Sequence, residues 1–315
     1  MTNFNFLKQA EVFIVYNNTK YILDVSEDLK FSQTFTDSTY KQKTLQSPQN
    51  LFQESNIKKA NPANFSFTIP MYQENDLKIV FDLLVDYKNS SDFTLKSFDL
   101  YIKLPKSLYL IENCVITNGT FLIEKLENLK LQVSGQGTRL KHFSGNSRLH
   151  TLATANNSTL STRSSSVNAQ AVEILDILID NNSIDKVYKV AVELQNNIEW
   201  LEARTIHASV DIDATSSGDN VIYPSNFVLK ERILSGSVGQ YVTDASNSDV
   251  QTSKTNVPIV IKAGKSTLVG FQFSMPSCSF TNRNNIEDVF TQSYDWRMNT
   301  NPTDLGDTII KFNNT

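Results

Sequence analysis

The sequence has few of the residues on which catalytic, metal-binding and disulfide-bonded proteins depend. Its 315 residues include only 3 His and 2 Cys, too few for a disulfide framework. The histidines share no short metal-ligand spacing with cysteine or carboxylates. A glycine-rich phosphate loop, a nucleophile elbow and a His-Glu-x-x-His pattern are all missing. We therefore expect no enzyme activity, no cofactor and no metal.

Long apolar runs and clusters of basic residues are also missing. No stretch approaches the ~18–20 apolar residues that span a membrane, and the first residues lack the basic and then apolar pattern of a signal peptide. The net charge is −4, so the composition does not indicate a protein that grips nucleic acid. We expect synthesis in the cytoplasm and no membrane segment.

The two cysteines and one pair of glutamates are the remaining candidates for chemistry. Cys114 and Cys278 each lie in an apolar stretch with no histidine beside them, which favours a buried small side chain over a nucleophile. Glu124 and Glu127 have the look of a glycosidase pair, but a solvated hairpin face explains them better.

An internal repeat organises the chain. Pro62-Ala63-Asn64-Phe65 recurs as Pro224-Ser225-Asn226-Phe227, and Cys114-Val115-Ile116-Thr117-Asn118 recurs as Cys278-Ser279-Phe280-Thr281-Asn282. The offsets are 162 and 164 residues, so the repeated unit is a domain and not a solenoid repeat. We predict one domain over residues 1–143, a Ser/Thr/Asn-rich linker over 144–170, and a second domain over 171–315.

A third pair of motifs stands at a different offset. Asn17-Asn18 and Asn196-Asn197 each separate two apolar stretches and are predicted turns, yet they lie 179 residues apart. The first copy should then carry 17 extra residues within Ser26 to Asn61. Because loops of this length are usually functional or disordered, we interpret the segment as a long arm, with a tolerated surface insertion as the alternative.

Period-two alternation dominates the secondary-structure signal. It is clear in Phe98 to Leu104, Leu129 to Ser134, Val190 to Gln195 and Gly270 to Met275, and each pattern predicts a half-buried strand. Asp76 to Tyr87 has helical spacing after an Asp N-cap. Ala171 to Ile179 fits either a helix or a strand. The predicted fold is mainly β, with at most one helix in each domain.

Two hairpins carry a resemblance to a known family. Leu108 to Ile116 followed by Leu129 to Gly137, and Val269 to Pro276 followed by Asn285 to Phe290 and Tyr294 to Asn299, resemble the closing strands of bacteriophage tail tube domains. The duplication is similar to that of major tail tube proteins with two tail-tube-like β-sandwich or barrel domains in one chain. The resemblance covers most of both halves but not the linker.

The resemblance implies a structural role in the virion tail. Trimers would form pseudo-hexameric rings, and the rings would stack into a tube through which DNA passes without specific binding. The implied partners are other copies of the chain, tape measure, tail completion and baseplate or tip proteins, and a sheath if the tail contracts. The arm would contact the next ring through Phe31, Phe35, Tyr40, Leu45, Leu51 and Phe52.

In such a ring, alternate residues of the inner strands face the channel. The polar members of the alternating strands are therefore candidate lumen residues: Asp99, Lys103, Lys130, Gln132, Glu193, Gln272, Asp295 and Arg297. For each of them, a position facing outer solvent or a neighbouring subunit is the alternative. The alternative function is a two-domain β-sandwich adhesin or carbohydrate-binding accessory protein of the virion. Such a protein needs an exposed aromatic platform, whereas the two tryptophans, Trp200 and Trp296, lie in strand-like contexts.

Overall fold

The protein is mainly β, as the sequence predicts, and has one α-helix among its described residues. The computed structural model describes residues 7–26, 28–40, 54–70, 77–89, 94–124, 129–145, 159–160, 173–201, 221, 223–242, 253–265, 268–286, 289–299 and 310–312.

The described residues of the first half contain twelve strands, the helix and a short 3-10 turn at Leu7–Gln9. In chain order the elements are β1 (Glu11–Tyr16), β2 (Thr19–Leu23), β3 (Lys30–Ser32), β4 (Phe35–Tyr40), β5 (Glu54–Ala60), β6 (Ala63–Pro70), α1 (Leu77–Val85), β7 (Tyr87–Asn89), β8 (Thr94–Leu95), β9 (Phe98–Lys103), β10 (Ser107–Glu124), β11 (Lys130–Gly137) and β12 (Arg139–Ser144). They form two antiparallel sheets that share β10, in the orders β2-β1-β9-β10-β12 and β3-β6-β11-β10. Two small hairpins, β4-β5 and β7-β8, stand apart from these sheets.

β10 belongs to both sheets because it bends in the middle. Asn113 has a φ of 48°, in the left-handed region that asparagine tolerates better than most residues. The Asp99 side chain accepts a hydrogen bond from the Asn113 backbone N–H at 3.0 Å. The residues before the bend pair with β9 and β12, and those after it pair with β11.

The second half contains nine strands among its described residues. They are β13 (Thr159–Leu160), β14 (Glu173–Ile179), β15 (Asn182–Ser183), β16 (Val187–Leu201), β17 (Asn226–Tyr241), β18 (Ser253–Lys265), β19 (Leu268–Ile286), β20 (Phe290–Met298) and β21 (Ile310–Phe312). The pairing orders β15-β14-β18-β19-β21 and β16-β17-β20-β19 match the two sheets of the first half strand for strand.

The two halves join edge to edge. The end of β10 pairs antiparallel with β16, from Asn118 opposite Gln195 to Glu124 opposite Lys189. This produces one continuous sheet in the order β3-β6-β11-β10-β16-β17-β20-β19, called here the eight-strand sheet.

The core follows from the alternation along these strands. One cluster of buried side chains runs through both halves, and Phe121 connects them by contacting Phe81 of α1 at 4.7 Å and Phe273 of β19 at 4.9 Å between ring centroids. α1 lies over the end of β10, where a Cβ atom on Gly119 would collide with the Leu84 side chain. Burying each of these aromatic side chains contributes about 1.5–3 kcal/mol.

Several sequence predictions are confirmed. α1 occupies the predicted helical stretch, and the two predicted long hairpins are β10-β11 and β19-β20. Cys114 and Cys278 are both buried. The ambiguous stretch Ala171 to Ile179 forms strand β14 from Glu173 onward.

The predicted turn at Asn196-Asn197 is wrong. Both residues lie inside the continuous strand β16, because the buried Asn196 amide donates hydrogen bonds to two carbonyls of the first half, and these contacts outweigh its turn propensity. The turn that matches Asn17-Asn18 is Asp180-Asn181, since both pairs have positive φ at both positions and both join the first two strands of a half.

The predicted excess of 17 residues in the first copy depends on that turn and is wrong as well. The repeated cysteines align the two halves: Val115, after Cys114, lies opposite Gln136, and Ser279, after Cys278, lies opposite Arg297. Ser134 therefore matches Asp295, and through the neighbouring strands Ser66 matches Ser237 and Lys30 matches Ala191. The segment between these paired residues is longer in the second half. The repeated Pro-x-Asn-Phe motif is also out of place: Asn64 pairs with Gln136, whereas Asn226 pairs with Leu201 at the far end of β17.

The linker prediction falls mostly outside the described residues. Within 144–170 the structure describes the end of β12, Gly145 and the short strand β13, which pairs parallel with β2 through Thr159 opposite Thr19.

Candidate functional site

The eight-strand sheet has one buried face and one polar face. Along β11, Leu131 and Val133 are buried in the core while Gln132 is exposed. The ladder carries this alternation across the sheet, since Gln132 lies opposite Thr68 on one side and Thr120 on the other. Residues directly opposite each other in a ladder project to the same face.

Small hydroxyl and amide side chains dominate this polar face. Its members come from all eight strands and include Ser32, Asn64, Ser66, Thr68, Gln132, Ser134, Gln136, Asn118, Thr120, Gln195, Ser235, Ser237, Ser293, Ser279 and Thr281. Such side chains hold water and offer weak, neutral hydrogen bonds.

The charges on the polar face largely neutralise one another. Lys189 pairs with Glu124 at 2.7 Å, Arg283 with Asp295, and Arg297 with Glu231 at 3.4 Å. Glu193 accepts hydrogen bonds from the amides of Asn118 at 2.9 Å and Gln195 at 2.8 Å. The face therefore presents little net charge to a polyanion.

The structure divides the eight candidate lumen residues into two groups. The five on the polar face of the eight-strand sheet are Lys130, Gln132, Glu193, Asp295 and Arg297. The other three, Asp99, Lys103 and Gln272, lie where β9 pairs with β1 and β19 with β18. Sequence alternation could not separate the groups, because both kinds of sheet alternate in the same way.

Asp99 and Lys103 have local partners in the β2-β1-β9-β10-β12 sheet. Lys103 pairs with Glu11 at 2.6 Å. Burial raises the pKa of the Asp99 carboxyl above its ordinary value, and the charge of Glu112 adds to the rise, whereas the Asn113 N–H opposes it.

A polar cluster fixes the junction between the two halves. Asn196 Nδ2 donates to Leu84 O and Ile116 O, both at 3.0 Å. Arg232 donates through Nε to Asn196 Oδ1 at 2.7 Å and through Nη2 to Leu84 O at 2.8 Å and Val85 O at 2.7 Å. The carbonyls at the end of α1 lack helical partners, and a cation there is favoured by the helix dipole. We call this cluster of Asn196 and Arg232 on α1 the junction lock.

Comparison with protein families decides what kind of protein has this sheet. The model of the Bacteriophage Baseplate Tube Protein Family matches residues 2–315. The chain belongs to this family. A comparison with curated proteins finds no match. The chain is thus a structural protein of the phage tail or baseplate, and the match supports the coarser part of the predicted resemblance, a tail or baseplate tube protein.

The predicted arm of this baseplate tube protein is partly a hairpin and partly sheet. Phe31 lies in β3 of the eight-strand sheet, where it contacts Tyr109 at 5.0 Å between ring centroids. Phe35 starts β4 and is 48% exposed, and Tyr40 ends the same strand. Leu45, Leu51 and Phe52 lie outside the described residues.

A third long hairpin, which the sequence does not predict, is formed by the ends of β16 and β17. Its Trp200 donates to Gln136 of β11 at 2.8 Å and contacts Phe227 at 5.5 Å between ring centroids, while Leu201 and Val228 are exposed. The polar residues of these strands obscure the alternation that predicts a strand, and Asn196-Asn197 resembles a turn in sequence. At the opposite end of the sheet, Val289 and Phe290 are exposed where β19 turns into β20.

Both cysteines of the baseplate tube protein are buried. Burial raises the pKa of the Cys278 thiol to about 12 and that of Cys114 well above its ordinary value, so neither thiol ionises at neutral pH. The described residues contain no group of three or more His, Cys, Asp or Glu that could hold a metal. Over the same residues, no helix has the length and apolar character needed to span a bilayer.

Proposed function

We propose that this baseplate tube protein forms trimeric, pseudo-hexameric rings that stack into a tube around the path of DNA. In this proposal each chain carries two copies of one tail tube domain, residues 1–143 and 171–315, joined by residues 144–170. The chain acts as a building unit and has no catalytic step. It is synthesised in the host cytoplasm and incorporated in the virion tail.

The observation that carries the proposal is the unbroken eight-strand sheet. Two four-strand sheets meet through β10 and β16 with continuous backbone pairing, which is how domains would join around a closed barrel. Open sheet edges are a liability, and closure removes them.

The strand count favours three chains in a ring. Three chains would supply about 24 strands at ~4.8 Å spacing, and with a strand tilt of ~40° the backbone circumference is ~150 Å and the diameter ~48 Å. Two chains would supply about 16 strands and a diameter of ~32 Å, and the side chains on both walls narrow this channel further. Only the larger ring leaves room for a DNA double helix with water around it.

The polar face is suited to line such a channel. A protein that neutralises phosphates with Lys and Arg binds DNA tightly and would arrest its transit. The paired charges and neutral amides of this face avoid that, so we assign Lys130, Gln132, Glu193, Asp295 and Arg297 to the lumen and exclude Asp99, Lys103 and Gln272.

The β4-β5 hairpin and the hairpin formed by the ends of β16 and β17 supply contacts between rings. Leu201 and Val228 are exposed at the end of the eight-strand sheet where β16 and β17 form their hairpin, and Val289 and Phe290 are exposed at the other end. Exposed apolar residues at both ends of a subunit support head-to-tail stacking. The end rings would contact tape measure, tail completion and baseplate or tip proteins, and a sheath would cover the tube if the tail contracts.

Native mass spectrometry and negative-stain electron microscopy of the purified protein test the proposal. We expect rings of three chains that grow into tubes. Rings of six chains, or a monomer under all conditions, would refute it.

A hairpin variant tests stacking separately. Replacing residues 36–59 by an Asn-Gly turn leaves β3 in its sheet and should give rings that do not stack. The control shortens the β7-β8 hairpin between Tyr87 and Leu95, which should leave tube growth intact.

A further inference from the structure

The junction within the chain shows which surfaces of this fold join two domains. The outer edge of β10 pairs with the outer edge of β16, with Thr120 opposite Glu193 and Leu122 opposite Ala191. Each of these strands is the edge of a four-strand sheet, and the junction is formed entirely by backbone pairing between them.

The same two edges recur at the ends of the chain's eight-strand sheet. β19 takes the place of β10, because Thr120 lies opposite Gln132 of β11 as Arg283 lies opposite Ser293 of β20. β3 takes the place of β16, with Lys30 at the position of Ala191. Over the described residues, the ladder gives β3 only β6 as a neighbouring strand and gives the end of β19 only β20.

We propose that β3 of one chain pairs antiparallel with the end of β19 of a second copy, with Lys30 opposite Asn285 and Ser32 opposite Arg283. This register is the one that β10 and β16 have within a chain, with β19 in the place of β10 and β3 in the place of β16. The inference rests on the proposed function, since a closed ring requires that these edges meet.

The two kinds of junction have different chemistry. Asn196 lies three residues after Glu193 and is 1% exposed under α1. The matching position, three residues after Ser32, is Phe35, which is 48% exposed in the single chain. Asn196 of the junction lock therefore has no polar counterpart on the β3 edge, where the matching residue is the exposed Phe35.

Arg232 is likewise without a charged counterpart. Asn196 lies opposite Arg232 in the ladder, and the region opposite Phe35 holds Ala60 followed by Asn61. Asn61 donates to Thr34 Oγ1 at 2.9 Å and to Thr34 O at 2.9 Å, so its donors serve its own hairpin. In this proposal, burial of Phe35 stabilises the junction between chains. Hydrogen bonds from Asn196 and Arg232 to α1 stabilise the junction within a chain.

This difference specifies the order of domains around the ring. If the α1 side of one chain met the β3 edge of another, the α1 carbonyls would lose the donors of the junction lock, and buried unpaired carbonyls are costly. Each first domain is thereby matched to the second domain of its own chain, and the first and second domains alternate around the ring.

Cysteine pairs test the register. A Lys30→Cys chain mixed with an Asn285→Cys chain can form the new disulfide only between molecules, and the native Cys114 and Cys278 are buried. Cα atoms directly opposite in a ladder are ~4.5–5.5 Å apart, within disulfide reach. We expect a disulfide-linked dimer on non-reducing gels after mild oxidation of assembled tubes.

A control pair is displaced by one ladder step. Ser32→Cys mixed with Asn285→Cys places the thiols on a diagonal, ~7–8 Å apart, and should give several-fold less dimer. Ser32→Cys mixed with Arg283→Cys should link like the first pair and replaces it if either of those chains fails to fold. Tubes in which the displaced pair links as well as the matched pairs would overturn the register, while absence of tubes from the unmodified protein would refute the proposed function itself.

A second variant tests the apolar contact. Phe35→Asn should raise the protein concentration needed for ring formation about tenfold, because one aromatic ring loses its cover. His142→Asn, at an exposed ring in β12 of the other sheet, is the control and should leave ring formation unchanged. Equal ring formation by Phe35→Asn and the unmodified protein would contradict a contact at Phe35.

Discussion

Replacing Arg232 with methionine should weaken the junction between the two halves of the chain. Methionine keeps the aliphatic volume but removes the guanidinium, which donates to Leu84 O, Val85 O and Asn196 Oδ1. Each of these three acceptors would lose a charge-assisted partner in a partly buried site.

The size of the effect follows from those three bonds. A buried acceptor left without its partner costs ~1–3 kcal/mol. Leu84 O keeps its bond from Asn196 Nδ2, so Val85 O and Asn196 Oδ1 carry most of the loss. We expect the free energy of unfolding to fall by about 2–4 kcal/mol, which for a chain of this size lowers Tm by roughly 3–6 °C.

The measurement is thermal and urea unfolding of the unassembled chain, followed by circular dichroism and by the fluorescence of Trp296, which is 3% exposed. Arg297→Met is the matched control: it removes a guanidinium from the exposed ion pair with Glu231 and should change stability by ~0.5 kcal/mol or less. If Arg232→Met and Arg297→Met have the same small effect, the reasoning about the junction lock is wrong.

Three further predictions concern other parts of the molecule. Asp99→Asn should be at least as stable as the unmodified protein at pH 7. The folded-state pKa of Asp99 is raised above its value of 3.8 in the unfolded chain, so the protein with Asp99 loses folding stability as pH rises through that folded-state pKa. Urea titrations should show the stability gained by Asp99→Asn shrinking towards pH 4, and a stability gain independent of pH would contradict the assignment. Replacing Glu193 and Asp295 together with lysine should make the assembled tube bind DNA in a salt-dependent manner, whereas the same change at Glu11 and Glu173, on other sheets, should not; equal binding by both double variants in a filter assay would remove the polar face from the lumen. Gly236→Ala should destabilise the chain by ~2–4 kcal/mol, because its Cβ would collide with the Ala191 carbonyl and the Trp296 ring; Ser237→Ala is the control in the same melting experiment, and equal Tm values would show that the strand can yield.

The sequence predicted those parts of the fold that are encoded locally. Alternation in Leu129 to Ser134 identified a half-buried strand, and helical spacing identified α1, because burial against one core leaves a periodic trace in the chain. The Asn196-Asn197 error arose from the same local logic. What keeps Asn196 in a strand is a pair of carbonyls 80 and 112 residues away, and no local pattern records them.

The candidate lumen residues divide for a related reason. Gln132 and Asp99 occupy similar alternating patterns, but β11 belongs to the eight-strand sheet and β9 to the other sheet. Alternation tells which residues avoid the core, not which sheet they lie on. The assignment of sheets depends on pairings between distant strands, and only the three-dimensional structure provides those.

The pairing of β10 with β16 has a kinetic consequence. β10 ends at Glu124 and β16 begins at Val187, so during synthesis the first half exposes a complete but unpaired strand edge until the second half has left the ribosome. Long-range pairing of this kind is slow, and an exposed edge accepts whichever matching strand arrives first. In a crowded cell that strand can come from another chain, which would give exchanged dimers with the same local structure. Because pairing with another chain depends on concentration and pairing within a chain does not, lower expression levels should raise the yield of correctly closed monomer.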